Sequence, residues 1–338
     1  MAGYYSMEQI EEYQKAIPTV AINYDQYDPR NIQVWDTYIP IGDEKQRALD
    51  AVLSARTPYL IESEKGQGKT LLIYTICKEN NIALIEEQVG RGTRITDLFG
   101  SKEINRDGTL FNLGIFPKAI EVANHFGHAC LYCDEGNTQD PEIQKLWNRI
   151  CDGRKSVFVN GKNYKLNPNC KLSIVWTTNP VTYAGINSMP EDLRSRFIGD
   201  VWDYPSNEQI KKVINLSRRI PQTRTLAQGD GFAMVEKVNS MPNSTADSSS
   251  IKNFDEYLLT FVQDIHALRM KGDVEYSLSI RDIKQFYDHL QELIRTNGSF
   301  KNKLLEKAIK QVILFKFEDP GERELVKIRA NDTFGVKL

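Results

Sequence analysis

Short apolar runs alternate with amphipathic stretches through the middle of this chain and give way to helical stripes alone after residue 204. Tyr59–Ile61, Ile82–Glu86, Ala129–Cys133, Leu172–Trp176 and Ile198–Trp202 lack clean period-two alternation, which suits strands buried on both faces. A helix is expected over Thr70–Cys77. Strand and helix in alternation from Tyr38 to Tyr204 predict an α/β domain, a parallel sheet covered by helices on both faces. Beyond it, Ser206 and Gln209 have capping-box spacing ahead of Ile210, Val213 and Ile214. Three more stripes follow: Phe254, Leu258, Phe261, Ile265 and Leu268; then Ile283, Phe286, Tyr287, Leu290, Leu293 and Ile294; then Leu304, Leu305, Ala308, Val312 and Phe315. Each reads as a core-facing helix side. The expected division is an N-terminal extension over 1–36, an α/β core over 37–205, a small all-helical lid over 206–316 and a tail over 317–338. The extension is polar, with a short helix expected at Met7–Ala16, and packs on the core or on a neighbour. Residues 239–250 are poor in apolar side chains and are expected to form a mobile loop.

Composition changes little in this picture. The chain has 338 residues, 41% apolar and 26% charged, enough for two domains with a proper core. A formal net charge of −2 gives no general nucleic-acid or membrane surface. No apolar run approaches the ~20 residues of a membrane helix, and the first residues have no secretory leader pattern, so the expected compartment is the cytoplasm. The five cysteines fit free thiols in a reducing compartment. Cys130 and Cys133 have C-x-x-C spacing, yet within a strand they face opposite sides, and a second metal-type pair is missing.

The chemistry begins at Ser63-Glu64-Lys65-Gly66-Gln67-Gly68-Lys69-Thr70, one residue short of the phosphate-loop pattern because Ser63 stands where the first glycine belongs. Gly66 and Gly68 let successive N–H groups curl inward, Lys69 brings a charge to the outer phosphates, and Thr70 offers its hydroxyl to Mg²⁺. Glu64, Lys65, Gly66, Gln67, Gly68, Lys69, Thr70 and Leu71 are the expected nucleotide contacts. An apolar strand then ends in Asp134-Glu135, where ligands bind in open α/β sheets. Asp134 is placed to hold Mg²⁺ through water, and Glu135 to orient and deprotonate an attacking water, their opposite facings following from strand alternation. The next strand ends in Asn179-Pro180, whose amide could bond the water and the terminal phosphate or simply begin a turn. Arg194 and Arg196 could form a solvated helix face or neutralise phosphoryl charge across a subunit boundary. Ser279 as an N-cap would hold Arg281 in the first turn of a lid helix, aimed at nucleotide or at solvent.

The order of these motifs resembles an AAA+ ATPase, a P-loop NTPase, and within that class the MoxR and dynein-related branch (AAA_5). The resemblance covers roughly residues 38 to 316. Asp97-Leu-Phe-Gly100 with Gly108-Thr-Leu-Phe-Asn-Leu-Gly114 resembles the branch's helix-2 insertion, and Asp134-Glu-Gly-Asn137 with Pro141–Asn148 its acidic segment. Arg154–Lys165 resembles the pre-sensor hairpin, and Asn160-Gly161 independently predicts a two-residue turn there. The resemblance implies Lys69 and Thr70 as Walker A, Asp134 and Glu135 as Walker B, and Asn179 as sensor 1. It also implies Arg196, or second Arg194, as the trans finger, and Arg281 as sensor 2. It further implies ATP and Mg²⁺ as cofactors, a hexameric homo-oligomeric ring, and a client protein beside a von Willebrand A partner. Ser63 departs from the family pattern but leaves the phosphate contacts intact. Gly136, in place of an apolar residue, is expected to loosen the segment holding Glu135.

The leading expectation is a MoxR-like chaperone, a ring-forming ATP hydrolase that remodels or activates a partner protein. Its client-facing hairpin would carry Lys155, Lys162, Lys165, Phe158 and Tyr164. Two other classes stay open. A nucleic-acid motor of McrB type would use the same basic, aromatic hairpin on a strand, although the Thr178-Asn-Pro run departs from that type. An assembly scaffold with little turnover would follow if Ser63 and Gly136 disable the site.

Overall fold

The computed structural model describes residues 17–40, 42–106, 108–180, 187–217, 248–297 and 301–338. The expected helix at Met7–Ala16 lies outside them. The chain divides into two compact units, 1–204 and 205–338.

In the first unit five strands, β1 (Tyr59–Ser63), β2 (Ala83–Gln88), β5 (His128–Asp134), β8 (Lys171–Thr178) and β9 (Ile198–Trp202), pair in parallel in the order β2-β5-β8-β1-β9. Side-chain alternation splits the core in two. Tyr59, Ile61, Leu84, Cys130, Tyr132 and Val175 pack against α1 (Glu44–Ser54) and α2 (Lys69–Glu79). On the opposite face, Leu60, Ile85, Leu131, Cys133, Ile174 and Trp176 meet α4 (Ile115–Phe126). Cys130 and Cys133 thus lie on opposite faces, as expected, and both are buried free thiols. Phe116, Trp147 and Trp176 stack edge to face at 5.0 and 4.9 Å and are fully buried. Each buried indole contributes about 4–6 kcal/mol of transfer free energy. The fold class is α/β, a five-stranded parallel sheet covered by helices on both faces.

Two hairpins project from this core. After α3 (Ile95–Phe99), β3 (Gly100–Asn105) pairs antiparallel with β4 (Gly108–Leu113). After α5 (Pro141–Leu146) and α6 (Asn148–Cys151), β6 (Ser156–Val159) pairs with β7 (Lys162–Lys165) through Asn160-Gly161, both at positive φ, the two-residue turn the sequence predicts. Of the extension, Ile22, Tyr24 and Tyr27 pack on the α4 face of the core and Ile32 on the other.

The second unit holds α8 (Asn207–Ser217), α9 (Ser248–Lys271), α10 (Ile280–Asn297), α11 (Asn302–Ala308) and α12 (Pro320–Phe334), after α7 (Glu191–Arg194) in the first. The Ser206–Gln209 capping box forms, with Ser206 N–H to Gln209 Oε1 at 2.6 Å and Gln209 N–H to Ser206 Oγ at 3.4 Å. Three sequence expectations are revised here. The 239–250 loop lies largely outside the described residues, but Ser248–Ser250 opens α9. Residues 317–338 carry a helix, α12, whose Phe334 ring sits 5.9 and 5.3 Å from Phe254 and Phe261. Phe315, read as core, is 76% exposed, because a π-turn at Ile309–Ile313 rotates the stripe and buries Ile309, Ile313 and Leu314 instead.

Candidate functional site

The sheet order decides which side chains meet. The loop after β1 and the acids ending β5 are separated by β8 alone, so the polar residues ending β8 lie between them. Gly66 and Gly68 take φ of 77° and 88°, a region that disfavours any side chain, and α2 starts at Lys69. Lys69 is buried, and its Nζ donates to Ser63 O (2.7 Å), Ser63 Oγ (3.1 Å), Glu64 O (3.2 Å) and Asn179 Oδ1 (3.2 Å). Ser63 is therefore a partner of Lys69 as well as a replacement for glycine. The ring of Tyr38, from the segment before α1, lies against Gly68, and its hydroxyl donates to Glu44 Oε1 at 2.8 Å. Gln67 is buried, with no hydrogen-bond partner for either amide atom among the described residues, and Lys65 is exposed.

At the end of β5, Asp134 Oδ1 accepts from Thr177 Oγ1 (2.5 Å), Tyr132 OH (2.9 Å) and the Glu135 N–H (3.1 Å). Its Oδ2 accepts from Thr70 Oγ1 at 3.3 Å. Glu135 Oε1 accepts from Asn179 Nδ2 at 2.9 Å. Asn179 thus presents oxygen to the ammonium and nitrogen to the carboxylate, so the two charges fix its amide orientation. The two acids do aim apart, but strand alternation is not the cause. β5 ends at Asp134, and Glu135 has left the strand in the left-handed region, φ 49° and ψ 43°. That backbone costs about 1–2 kcal/mol for a non-glycine residue.

The loop behind the acids is firm, against the expectation for Gly136. A Cβ on Gly136 would lie 2.4 Å from the Trp176 ring, so the missing side chain is replaced by indole. Gln139, fully buried, donates to Gly136 O (2.9 Å) and accepts from Trp147 Nε1 (3.0 Å), while Asn137 Nδ2 donates to Asn179 O (2.9 Å).

The structure brings Lys69, Thr70, Asp134, Glu135 and Asn179 into one hydrogen-bonded group. Within the first unit it does not bring Arg194 and Arg196 there. Arg194 pairs with Glu62 of β1 at 3.2 Å, and Arg196 Nε donates to Asn148 Oδ1 at 2.7 Å; both are exposed. Arg281 is exposed in the first turn of α10, in the second unit, behind the Ser279 cap, whose Oγ accepts from the Asp282 N–H at 3.3 Å. Two of the five side chains expected on the client-facing hairpin are interior. Tyr164 is buried, and Lys155 Nζ donates to Ala55 O and Leu172 O, burial pushing its pKa down to about 8. Phe158, Lys162 and Lys165 are exposed. Tyr132, Thr177 and Asn137 were not identified as site residues from the sequence. The available signal was their hydroxyls and amide within two or three positions of Asp134 and Asn179.

A hydroxyl and a carboxylate facing each other at Thr70 and Asp134 are hard oxygen donors of the kind Mg²⁺ takes, usually with phosphate and water completing the set. Among the described residues no cluster of three or more His, Cys, Asp or Glu could form an all-protein metal cage. None of the described helices is long and apolar enough to cross a membrane.

No family model matches the chain. Midasin of Giardia intestinalis is 25% identical over 171 residues, 50% of this chain and 3% of midasin. The denitrification regulatory protein NirQ of Stutzerimonas stutzeri is 24% identical over 177 residues, 52% of this chain and 62% of NirQ. The chain therefore spans less than two thirds of either relative. An uncharacterized protein of Staphylococcus haemolyticus is 24% identical over 282 residues, 82% of this chain and 90% of that protein. Among solved structures, a candidate ATPase from Cytophaga hutchinsonii is 16% identical at a TM-score of 0.42, covering 96% of this chain and 98% of its own. A Thermotoga maritima RuvB mutant is 12% identical at 0.46, covering 84% of this chain and 73% of its own.

Proposed function

We propose that the chain is an ATP hydrolase that works as a ring, with partner remodelling in the manner of a MoxR-like chaperone as its task. The observation that carries the reading is the single network joining Lys69, Asn179, Glu135, Asp134 and Thr70 across three strand ends. In it Lys69 and the loop N–H groups bind the phosphates, and Thr70 with Asp134 would hold Mg²⁺, which would supply charge neutralisation for the phosphates. Glu135 orients and deprotonates the attacking water, and Asn179 keeps the carboxylate beside the terminal phosphate.

Arg196 is the proposed finger offered to a neighbouring protomer, with Arg194 second. The exposure of both, each bonded to a residue outside the five-residue network, supports that reading. The hexameric state, Arg281 as a nucleotide sensor, the client, its von Willebrand A partner and the cytoplasmic compartment are carried forward from the resemblance and the sequence. Two observations weaken the alternatives. Burial of Lys155 and Tyr164 removes much of the basic, aromatic surface that a nucleic-acid strand would need. The contacts that accommodate Ser63 and Gly136 weaken the case for a disabled scaffold.

Equilibrium binding of labelled ATP tests the cradle. The wild-type chain retains the label, and Lys69→Ala weakens it about a hundred-fold or more, the size of a lost buried charge contact. Equal retention by both proteins overturns the assignment of Lys69.

A further inference from the structure

Tyr132 is an odd residue for its place. It lies in β5, two positions before Asp134 on the α2-facing side, completely buried with Leu72, Ile73, Cys130 and Val175 in the same core cluster. An apolar side chain would satisfy that packing. The phenol oxygen instead reaches the rim, 2.9 Å from Asp134 Oδ1, 3.1 Å from Thr70 Oγ1 and 3.2 Å from Thr177 Oγ1.

The supply of protons around Asp134 decides what this hydroxyl does. Asp134 as a carboxylate only accepts. Thr177 has one proton, and its shortest contact, 2.5 Å to Asp134 Oδ1, takes it. The phenol has one proton to give, and three acceptors lie within reach of it, Asp134 Oδ1 at the shortest distance, then Thr70 Oγ1 and Thr177 Oγ1. A hydroxyl that gives a lone pair to a cation is a poorer acceptor, so with Mg²⁺ bound the Tyr132 phenol would donate to Asp134 instead of Thr70. Thr70 then sends its own proton to Asp134 Oδ2. Three donors, Thr177, Tyr132 and the Glu135 N–H, converge on Oδ1 and fix the carboxylate plane. Oδ2 is left facing Thr70.

We propose that Tyr132 and Thr177 are positioning residues that aim Asp134 Oδ2 and Thr70 Oγ1 at the magnesium of a bound Mg·nucleotide, with the phenol proton as the adjustable bond. The inference rests on the nucleotide-binding reading above. It assigns these hydroxyls to metal affinity rather than to nucleotide affinity or to folding.

The test is binding of a fluorescent N-methylanthraniloyl-ATP to the full chain, first in EDTA and then along a Mg²⁺ titration. Tyr132→Phe is expected to bind within two-fold of wild type in EDTA and to need about five- to ten-fold more Mg²⁺ for half-maximal tightening, the net size of one ordinary hydrogen bond. Thr177→Val shifts the midpoint the same way, and Thr177→Ser, which restores the donor, returns it to within two-fold. An unchanged midpoint in both Tyr132→Phe and Thr177→Val overturns the proposal. So does weakening that is equal with and without Mg²⁺, which marks a merely structural role. If Tyr132→Phe fails to give a cooperative melt, the Thr177→Val and Thr177→Ser pair decides by the same criterion. Failure of the wild-type chain to bind the probe in either condition overturns the underlying reading together with this one, and it is seen before any variant is made.

Discussion

Gly136 and Trp176 show how a single position can look like a defect and be part of a fit. The glycine lies buried directly behind Glu135, and the indole of the neighbouring strand occupies the volume its side chain would need, 2.4 Å from an added Cβ. Gly136→Val must therefore displace the ring or the backbone that turns Glu135. Overpacking of this kind costs about 1–3 kcal/mol. The expected outcome is a melting temperature lower by a few degrees, read by calorimetry, with turnover falling further than stability alone explains. A variant that melts and turns over as wild type would show that the contact is slack. At this scale Lys69, Thr70, Asp134, Glu135 and Asn179 were legible because their spacing and strand-end placement carry chemistry. Tyr132 was not, since a tyrosine within an apolar strand reads as core until its hydroxyl is located. Lys155 was misread for the opposite reason: a basic residue beside a hairpin looks solvated, yet its ammonium is satisfied by two buried carbonyls.

Elements that are far apart in sequence meet where the extension crosses the two hairpins. Phe111 of β4 donates to Pro18 O at 2.8 Å and accepts from the Val20 N–H at 3.0 Å, a short parallel bridge. At the same place the Asn160 side chain, at the β6–β7 turn, accepts from the Ile17 N–H at 3.2 Å and donates to Ile17 O at 2.7 Å. Residues 17–20 thus tie one hairpin to the other. Asn160→Ala removes two of these four bonds, and hydrogen exchange is expected to quicken in peptides covering 17–22 and 108–113 while β5 and β8 keep their protection. Unchanged exchange in those two peptides would contradict the tie. The β6–β7 hairpin was legible from Asn160-Gly161, a local signal with a defined turn. The pairing of 17–20 was not, because it depends on a non-local edge that no periodicity announces. The π-turn at Ile309–Ile313 escaped in the same way: one extra residue per turn leaves the apolar count intact and only shifts which residues face inward.

At the scale of the whole chain, one α/β unit carries the five-residue network and a second, helical unit carries Arg281. The α/β class was readable from alternation alone, and its strand order explains why Asn179 can bond Lys69 and Glu135 at once: its strand runs between theirs. The helical unit was readable as far as its stripes, but α12 was missed because charged and polar residues dominate Pro320–Phe334 around a narrow buried line of Val326 and Ala330. In the proposed mechanism Glu135 activates water for ATP hydrolysis while Lys69 and its loop do the binding. Steady-state phosphate release with Mg²⁺, paired with labelled-ATP binding on the same preparation, tests it most directly in wild type and Glu135→Gln. Wild type is expected to turn over, with the variant keeping ATP affinity within a few-fold and losing turnover to background, a fall of about two orders of magnitude or more. Undiminished phosphate release from Glu135→Gln would contradict it.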